Sequence, residues 1–214
     1  MKNLIFLSLI TVITGCVKEN KASVSVQKNN TETAKKDSIQ KIPEPVKLSK
    51  NELLKDLNNE ILASLKSKDY DRFSEFIHPQ KGIRFSMYAY VQPEKNKHFT
   101  REEFIKYIPM RTRFTWGEKD GTGDLLIISL KDYLEKWVFK RNFTKSEFYL
   151  NEFKGTGNSL NNLKKIYPNL NFTENFIPGS EKYGGMDWNA LRFVFEEFQG
   201  EYYIVAVIND EWTA

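Results

Sequence analysis

The chain has 214 residues, with 32 basic and 28 acidic side chains, two histidines and a single cysteine. One cysteine excludes an intrachain disulfide, and two histidines with one thiol are too few donors for an ordinary tetrahedral zinc site. The chain also lacks a Walker loop and a Gly-X-Ser-X-Gly turn. We therefore expect no metal and no cofactor, and the common signatures of nucleotide-binding proteins and serine hydrolases are absent.

The first fifteen residues predict an export signal. A positively charged Lys2 precedes an apolar run over residues 4–13, which is too short to cross about 30 Å of hydrocarbon as a helix. Ile13, Thr14 and Gly15 then lead into Cys16. The alternative is a plain signal peptide whose cysteine happens to lie near the cleavage site.

This segment resembles the lipobox of bacterial lipoprotein precursors, in which leucine usually stands where this chain has Ile13. The resemblance implies that the signal, residues 1–15, is removed and that Cys16 receives a diacylglycerol on its thiol. It also implies a further acyl chain, such as palmitate, on the new amino group. Stable anchoring of this kind needs two or more chains.

Residues 16–50 predict a disordered tether. They are rich in Lys, Asn, Ser and Thr and contain no aromatic residue, so they cannot bury enough apolar surface to offset chain entropy. The tether and the signal together hold nine of the 32 basic residues and four of the 28 acidic ones, leaving 23 basic and 24 acidic residues in 51–214. A nearly neutral domain argues against nucleic acid as a partner.

The residues after Cys16 bear on which membrane holds the anchor. Val17 stands where an aspartate retains many lipoproteins of enteric bacteria in the inner membrane. Lys18 and Glu19 resemble the charged export signal of Bacteroidota lipoproteins. The expected location is therefore the cell envelope, with the outer membrane favoured and the domain outside the cytoplasm.

Residues 51–214 predict one globular domain that begins with helices. Capping-box patterns at residues 49–52 and 100–103 each predict a helix start, and Asp69 predicts a restart of the first helix, which ends before Pro79. A further helical stretch is predicted over residues 129–139 and a short one near 160–167. Strands are predicted over residues 81–91, 111–118, 146–153 and 171–177, and in a final hairpin over 191–208.

Helices followed by a series of strands predict an α+β fold. The expected architecture is a long N-terminal helix packed on a curved antiparallel sheet. That arrangement is the cone of NTF2-like proteins, whose concave face often forms a pocket.

Several segments together resemble a family of uncharacterised bacterial lipoproteins and secreted proteins, over roughly residues 60–213. The segments are His78-Pro-Gln-Lys-Gly82, Arg84-Phe-Ser86, Tyr88-Ala-Tyr-Val91, Trp116-Gly117, Asp120-Gly-Thr-Gly123, Gly157-Asn158, Gly184-Gly-Met-Asp-Trp188, Leu191-Arg-Phe-Val-Phe195 and Asp210-Glu-Trp-Thr213. Met87 departs from the family, where proline is expected. The resemblance implies a fold and a compartment but no established activity.

The polar and aromatic residues of these segments are candidates for a ligand pocket, because binding sites combine apolar walls with a few convergent polar groups. The ligand-binding candidates are Arg84, Trp116, Asp187, Trp188, Arg192 and Asp210. The competing interpretation of these residues is a peripheral ion pair with core tryptophans. The glycine-rich residues 120–124 are better explained as a tight turn than as a metal or phosphate loop.

Three functions remain open on this sequence. The first is a non-catalytic envelope module that binds a small molecule, a glycan or an envelope protein. The second is a hydrolase that uses His78, a weak candidate for a general base, or the Asp187 and Asp210 carboxylates. The third is a purely structural or interaction lipoprotein.

Overall fold

The computed structural model describes residues 48–213. Cys16, the predicted signal and most of the predicted tether lie outside these residues. The described residues belong to one compact unit of mixed α and β structure, so the α+β class is as predicted.

The helices begin where the capping patterns indicate. Helix α1 spans Lys50–Ser67 and α3 spans Arg101–Tyr107, and each starts with a complete capping box. Helix α2 spans Tyr70–Glu75 and is capped by the side chain of Asp69. Two one-turn helices follow, α4 at Leu130–Tyr133 and α5 at Leu163–Ile166, and α4 continues directly into a π turn over Leu134–Val138.

Six strands form the main sheet, in the order β2-β1-β8-β7-β6-β5. Their bounds are Ile83–Ser86 for β1, His98–Phe99 for β2, Glu147–Leu150 for β5, Asn171–Ile177 for β6, Asn189–Phe198 for β7 and Glu201–Glu211 for β8. Strands β3 (Arg113–Glu118) and β4 (Leu125–Ser129) pair separately as a hairpin.

The prediction of an antiparallel sheet is wrong at one position. Strand β1 runs parallel to β8, with Arg84 opposite Ala206 and Ser86 opposite Ile208, whereas the other pairings are antiparallel. The antiparallel expectation rests on short turns between neighbouring strands. No such turn connects β1 and β8, which come from opposite ends of the domain.

The two faces of the sheet carry separate cores, because successive side chains of a strand point to opposite faces. One face packs against α1 to α4 and the β3–β4 hairpin through residues such as Leu191, Phe193 and Val207. The other face is covered by residues 153–170 and packs through Val194 and Ile208. Large side chains fill the core on the face that packs against α1 to α4.

A pair of buried amides fixes α1 on the sheet. Asn58 in α1 and Asn175 in β6 exchange two Nδ2-to-Oδ1 hydrogen bonds of 2.9 Å, and the Thr173 hydroxyl donates to the same Asn58 oxygen at 2.7 Å. Asn175 also donates to the Leu191 carbonyl. Buried polar groups stabilise a structure only when their hydrogen bonds are made. This network therefore fixes the position of α1 along strand β6.

Candidate functional site

An open cleft of about 610 Å³ lies between the segment that follows β1 and the β3–β4 hairpin; we call it the Tyr88 cleft. Its walls combine aromatic, amide and charged side chains. They include Met87, Tyr88, Tyr90, Gln92, Lys95, Asn96, Thr115, Trp116, Glu118, Lys119, Asp120 and Leu125. Aromatic walls with dispersed polar groups are the usual composition of a ligand site.

Tyr88 connects the two walls of the cleft. Its phenol oxygen accepts a hydrogen bond of 2.8 Å from the backbone N–H of Asp120 in the hairpin turn. Its ring packs edge-on against Trp137, at 5.8 Å between centroids, and the Trp137 indole donates to the Met87 carbonyl. Burial raises the pKa of the Tyr88 phenol, so the group stays neutral and acts as a hydrogen-bonding anchor.

Trp116 forms a rigid part of the cleft. It is only 3% exposed, and its ring stacks flat on Tyr133 at 3.6 Å between centroids. Its indole N–H donates to the Ile128 carbonyl across the hairpin at 3.0 Å. Because a ring face and the polar atom are engaged within the protein, Trp116 shapes the cleft wall and presents little surface of its own.

The opposite wall is a turn that follows Val91. The Gln92 N–H donates to the Asn96 side-chain oxygen at 2.6 Å, and the Asn96 N–H donates to the Gln92 carbonyl at 2.8 Å. From behind, the Arg84 guanidinium donates to the Pro93 carbonyl at 2.5 Å and to the Asn96 carbonyl at 3.3 Å. The wall is therefore held from both sides before any ligand binds.

The Tyr88 cleft extends into a smaller hollow of about 270 Å³ that shares Tyr88, Tyr90 and Asp120. The far side of the hollow is formed by Ser159 and Thr213, whose hydroxyls are 2.7 Å apart. Of the nine segments that carry the sequence resemblance, five contribute residues to the cleft or to this hollow. They are residues 84–86, 88–91, 116–117, 120–123 and 210–213.

The six ligand-binding candidates do not share one cavity. Trp116 lines the Tyr88 cleft, whereas Arg84 lines a different cavity, next to His98 and Tyr167. Asp187 accepts hydrogen bonds from the backbone N–H and the hydroxyl of Ser180. The hydrogen bond from the Ser180 N–H lowers the pKa of the Asp187 carboxyl.

Trp188 packs under the residues 155–157. A Cβ placed on Gly155 would lie 2.7 Å from the Trp188 ring, and one on Gly157 would lie 3.0 Å from it. The indole is 7% exposed. Trp188 therefore occupies the position of a core tryptophan, and the two glycines allow the loop to lie flat on it.

Arg192 and Asp210 do meet, in a buried ion network with Glu174 that the sequence did not predict. The Arg192 Nε donates to Glu174 at 2.6 Å, and one terminal nitrogen donates to Asp210 at 2.8 Å and to the Gly155 carbonyl at 3.1 Å. The other Glu174 oxygen accepts the N–H groups of Lys154 and Gly155, each at 2.7 Å. This network fastens the loop over residues 153–157 to the outer face of the sheet.

His78 closes a turn. Its Nδ1 accepts hydrogen bonds from the backbone N–H groups of Gln80, at 3.1 Å, and Lys81, at 3.0 Å, so the neutral ring carries its proton on Nε2. The side chain is 2% exposed and lies against Phe198 and Tyr203. Burial lowers the pKa of His78 below its ordinary value of 6.5. These contacts occupy the nitrogen that a general base would use.

His78 should make the domain less stable in mild acid. Its folded pKa lies below its unfolded pKa, so the stabilisation is complete above pH 6.5 and is lost as the pH falls towards the folded value. His78→Asn keeps an oxygen acceptor for the turn but does not titrate. Urea unfolding at pH 7.5 and pH 5.5 should show a smaller pH effect in His78→Asn than in the wild-type chain. A pH effect in His78→Asn as large as that of the wild-type chain would contradict this role for His78.

Residues 120–124 form the tight turn that was predicted. Gly121 and Gly123 have φ angles of +76° and +72°, which glycine adopts without a steric penalty. Within residues 48–213, no three His, Cys, Asp or Glu side chains form a group suited to a metal ion.

The geometry defines the chain as an α+β protein with an open aromatic cleft. Searches against models of protein families and against curated proteins find no match. No helix between residues 48 and 213 is long and apolar enough to cross a membrane.

Proposed function

We propose that the chain is a lipid-anchored protein of the cell envelope whose domain binds a ligand in the Tyr88 cleft without catalysis. The observation that carries the proposal is the convergence of five separate sequence segments on this cleft and its extension. Residues 88–91 follow β1, whereas residues 116–117 and 120–123 belong to the β3–β4 hairpin, and the two parts of the chain meet where they line this surface. A small molecule, a glycan or a peptide fits the mixture of aromatic, amide and charged walls.

The preformed walls support binding in particular. Tyr88, Trp116 and the turn over residues 92–96 are each held by internal hydrogen bonds, so little conformational entropy is lost when a ligand arrives. Tyr90 is 46% exposed on the shared rim of the cleft and the hollow. An exposed aromatic ring beside rigid polar walls is a suitable first contact for the ligand.

We also propose that the domain is NTF2-like. An 18-residue helix α1 packed on the main sheet and a register shift between Val194 and Phe195, of the kind that bends a strand, support this assignment. The face of the sheet towards α1 is filled by Phe193, Phe195 and Val207. The binding site in this account therefore lies at the outer Tyr88 cleft instead of the interior of the cone.

The anchor is tested by Cys16→Ser. Loss of the only cysteine should abolish incorporation of radiolabelled palmitate and move the protein from the membrane fraction to the soluble fraction, because each buried methylene contributes about 0.8 kcal/mol to membrane binding. Ser23→Ala in the predicted tether is the control and should leave both properties unchanged. Continued labelling of Cys16→Ser would contradict the lipid assignment.

The binding site is tested by Tyr90→Ala. A ligand at about 100 times its dissociation constant stabilises the folded state by about 2.7 kcal/mol, so a low-molecular-mass extract of the producing cell's envelope should raise the melting temperature of the wild-type chain. Tyr90→Ala should lose most of this rise because the mutation removes the exposed ring at the rim of the cleft. Tyr183→Ala, at a tyrosine that is 51% exposed and outside the cleft lining, should behave as wild type. Equal shifts in both variants would contradict the site.

A further inference from the structure

A second cavity, of about 410 Å³, lies behind the turn that forms the wall of the Tyr88 cleft; we call it the Arg84 cavity. Ile166, Leu170 and Val205 contribute an apolar surface. The polar side is formed by Lys81, Arg84, His98, Tyr167 and Glu196. The cavity is thus divided into a hydrocarbon side and a predominantly cationic side.

Arg84 is a half-buried cation with neutral partners only. One terminal nitrogen donates to the carbonyls of Pro93 and Asn96, and the guanidinium also contacts the Tyr167 phenol. Burial raises the pKa of that phenol, and the neighbouring Arg84 charge opposes the rise. Within residues 48–213, Arg84 forms no ion pair with a carboxylate. Its charge therefore faces the cavity without neutralisation.

The other polar groups of the cavity are a hydrogen-bonded imidazole and an ion pair. The His98 Nε2 lies 2.6 Å from the Lys81 carbonyl, and a carbonyl only accepts, so this nitrogen carries a proton. Lys81 is paired with Glu196 at 2.5 Å, which neutralises that charge within the cavity. The remaining full charge on the cavity wall is the Arg84 guanidinium.

We infer that the Arg84 cavity is a binding site for a small organic carboxylate with an apolar body. A guanidinium held by two carbonyls presents its remaining N–H donors in a fixed plane, which suits the two oxygens of a carboxylate. The Tyr167 phenol stands beside it, and the apolar side of the cavity covers a hydrocarbon group of the same ligand. An inorganic anion would gain nothing from that apolar side.

The probe compounds are phenylacetate, its neutral analogue phenylacetamide, and inorganic phosphate, titrated into the detergent-solubilised full-length chain. The chain has two histidines, so the imidazole nitrogen resonances of His98 can be followed separately from those of the buried His78. Phenylacetate should shift the His98 resonances saturably. Phenylacetamide and phosphate should bind at least tenfold more weakly.

Arg84→Gln should weaken phenylacetate binding at least tenfold, and Arg84→Lys should weaken it less. Tyr90→Ala, on the other side of the same turn, should leave it unchanged, which separates this site from the Tyr88 cleft. Equal binding of phenylacetamide or phosphate to the wild-type chain would overturn the inference, as would wild-type affinity in a folded Arg84→Gln variant. If Arg84→Gln does not fold, the comparison of the acid with the amide decides the question on the wild-type chain.

Discussion

Replacing Arg192 with methionine is expected to destabilise the domain by about 3–5 kcal/mol, as is typical when one member of a buried ion pair is removed. Arg192 is fully buried and bonded to Glu174 and to Asp210, which are themselves 0% and 4% exposed. Without the guanidinium, two carboxylates remain close together, away from water. The same change at the exposed Arg111 should alter stability by less than about 0.5 kcal/mol.

The pH dependence of this effect distinguishes electrostatics from lost packing. Burial raises the pKa of Asp210 and Arg192 opposes the rise, so in Arg192→Met that pKa rises further. The unfolded chain then ionises Asp210 at lower pH than the folded one, and stability falls as the pH increases through that interval. The deficit of Arg192→Met should therefore be smaller at pH 4 than at pH 7.

A compensating variant tests the same network. Adding Glu174→Gln and Asp210→Asn to Arg192→Met removes both buried charges but keeps an oxygen for the N–H groups of Lys154 and Gly155. At pH 7 the triple variant should recover a substantial part of the lost stability in urea unfolding. If the triple variant were less stable than Arg192→Met, unpaired charge would not be the cause.

Gly82→Ala is expected to cost about 4 kcal/mol or more, because it forces one backbone segment against another. A Cβ on Gly82 would lie 2.2 Å from the Phe99 carbonyl oxygen and 2.9 Å from the Thr100 Cα, at a φ of +67°. The β1–β2 pairing of Ile83 with Phe99 prevents a simple displacement. Losses above about 4 kcal/mol are exceptional for single substitutions and arise from a few mechanisms, which include overpacking and strain at a special backbone conformation.

Gly121→Ala is the matched control. Gly121 also has a positive φ, +76°, but no atom lies within 4 Å of the added Cβ. Only the left-handed backbone strain of about 1–2 kcal/mol applies there. The free energy of unfolding of both variants can be measured by chemical denaturation. Equal losses would mean that the close approach at Gly82 does not contribute to the destabilisation.

The sequence predicts those features well that depend only on residues close together in the chain. The capping boxes at Ser49 and Thr100 and the tight turn at residues 120–124 are confirmed, since each depends on residues a few positions apart. The strand predicted over residues 81–91 ends at Ser86 instead. There the Ser86 hydroxyl donates to the Tyr88 carbonyl at 2.7 Å, and the chain turns to form the cleft wall.

The roles of the candidate residues are harder to predict, because their hydrogen-bonding partners are remote in sequence. Glu174 lies two residues from both Phe172 and Phe176 in β6 and so shares their face of the sheet, but nothing near it in sequence identifies its partners. It is buried because the loop over residues 153–157 covers it. The pairing of Arg192 with Asp210 follows from the β7–β8 hairpin, whereas Asp187 turns away to Ser180. Tyr90 is not among the sequence-based candidates, because its exposure is visible only in the fold.

The most direct test of the ligand-binding account is amide hydrogen exchange of the full-length chain, with and without the low-molecular-mass envelope extract. The account predicts added protection in both walls of the Tyr88 cleft, residues 86–96 and 115–125, which is lost in Tyr90→Ala. Protection confined to the exposed apolar residues of the hairpin, Leu125 and Ile127, would instead indicate an interaction surface. No change in either wall at saturating extract would contradict a ligand site in the cleft.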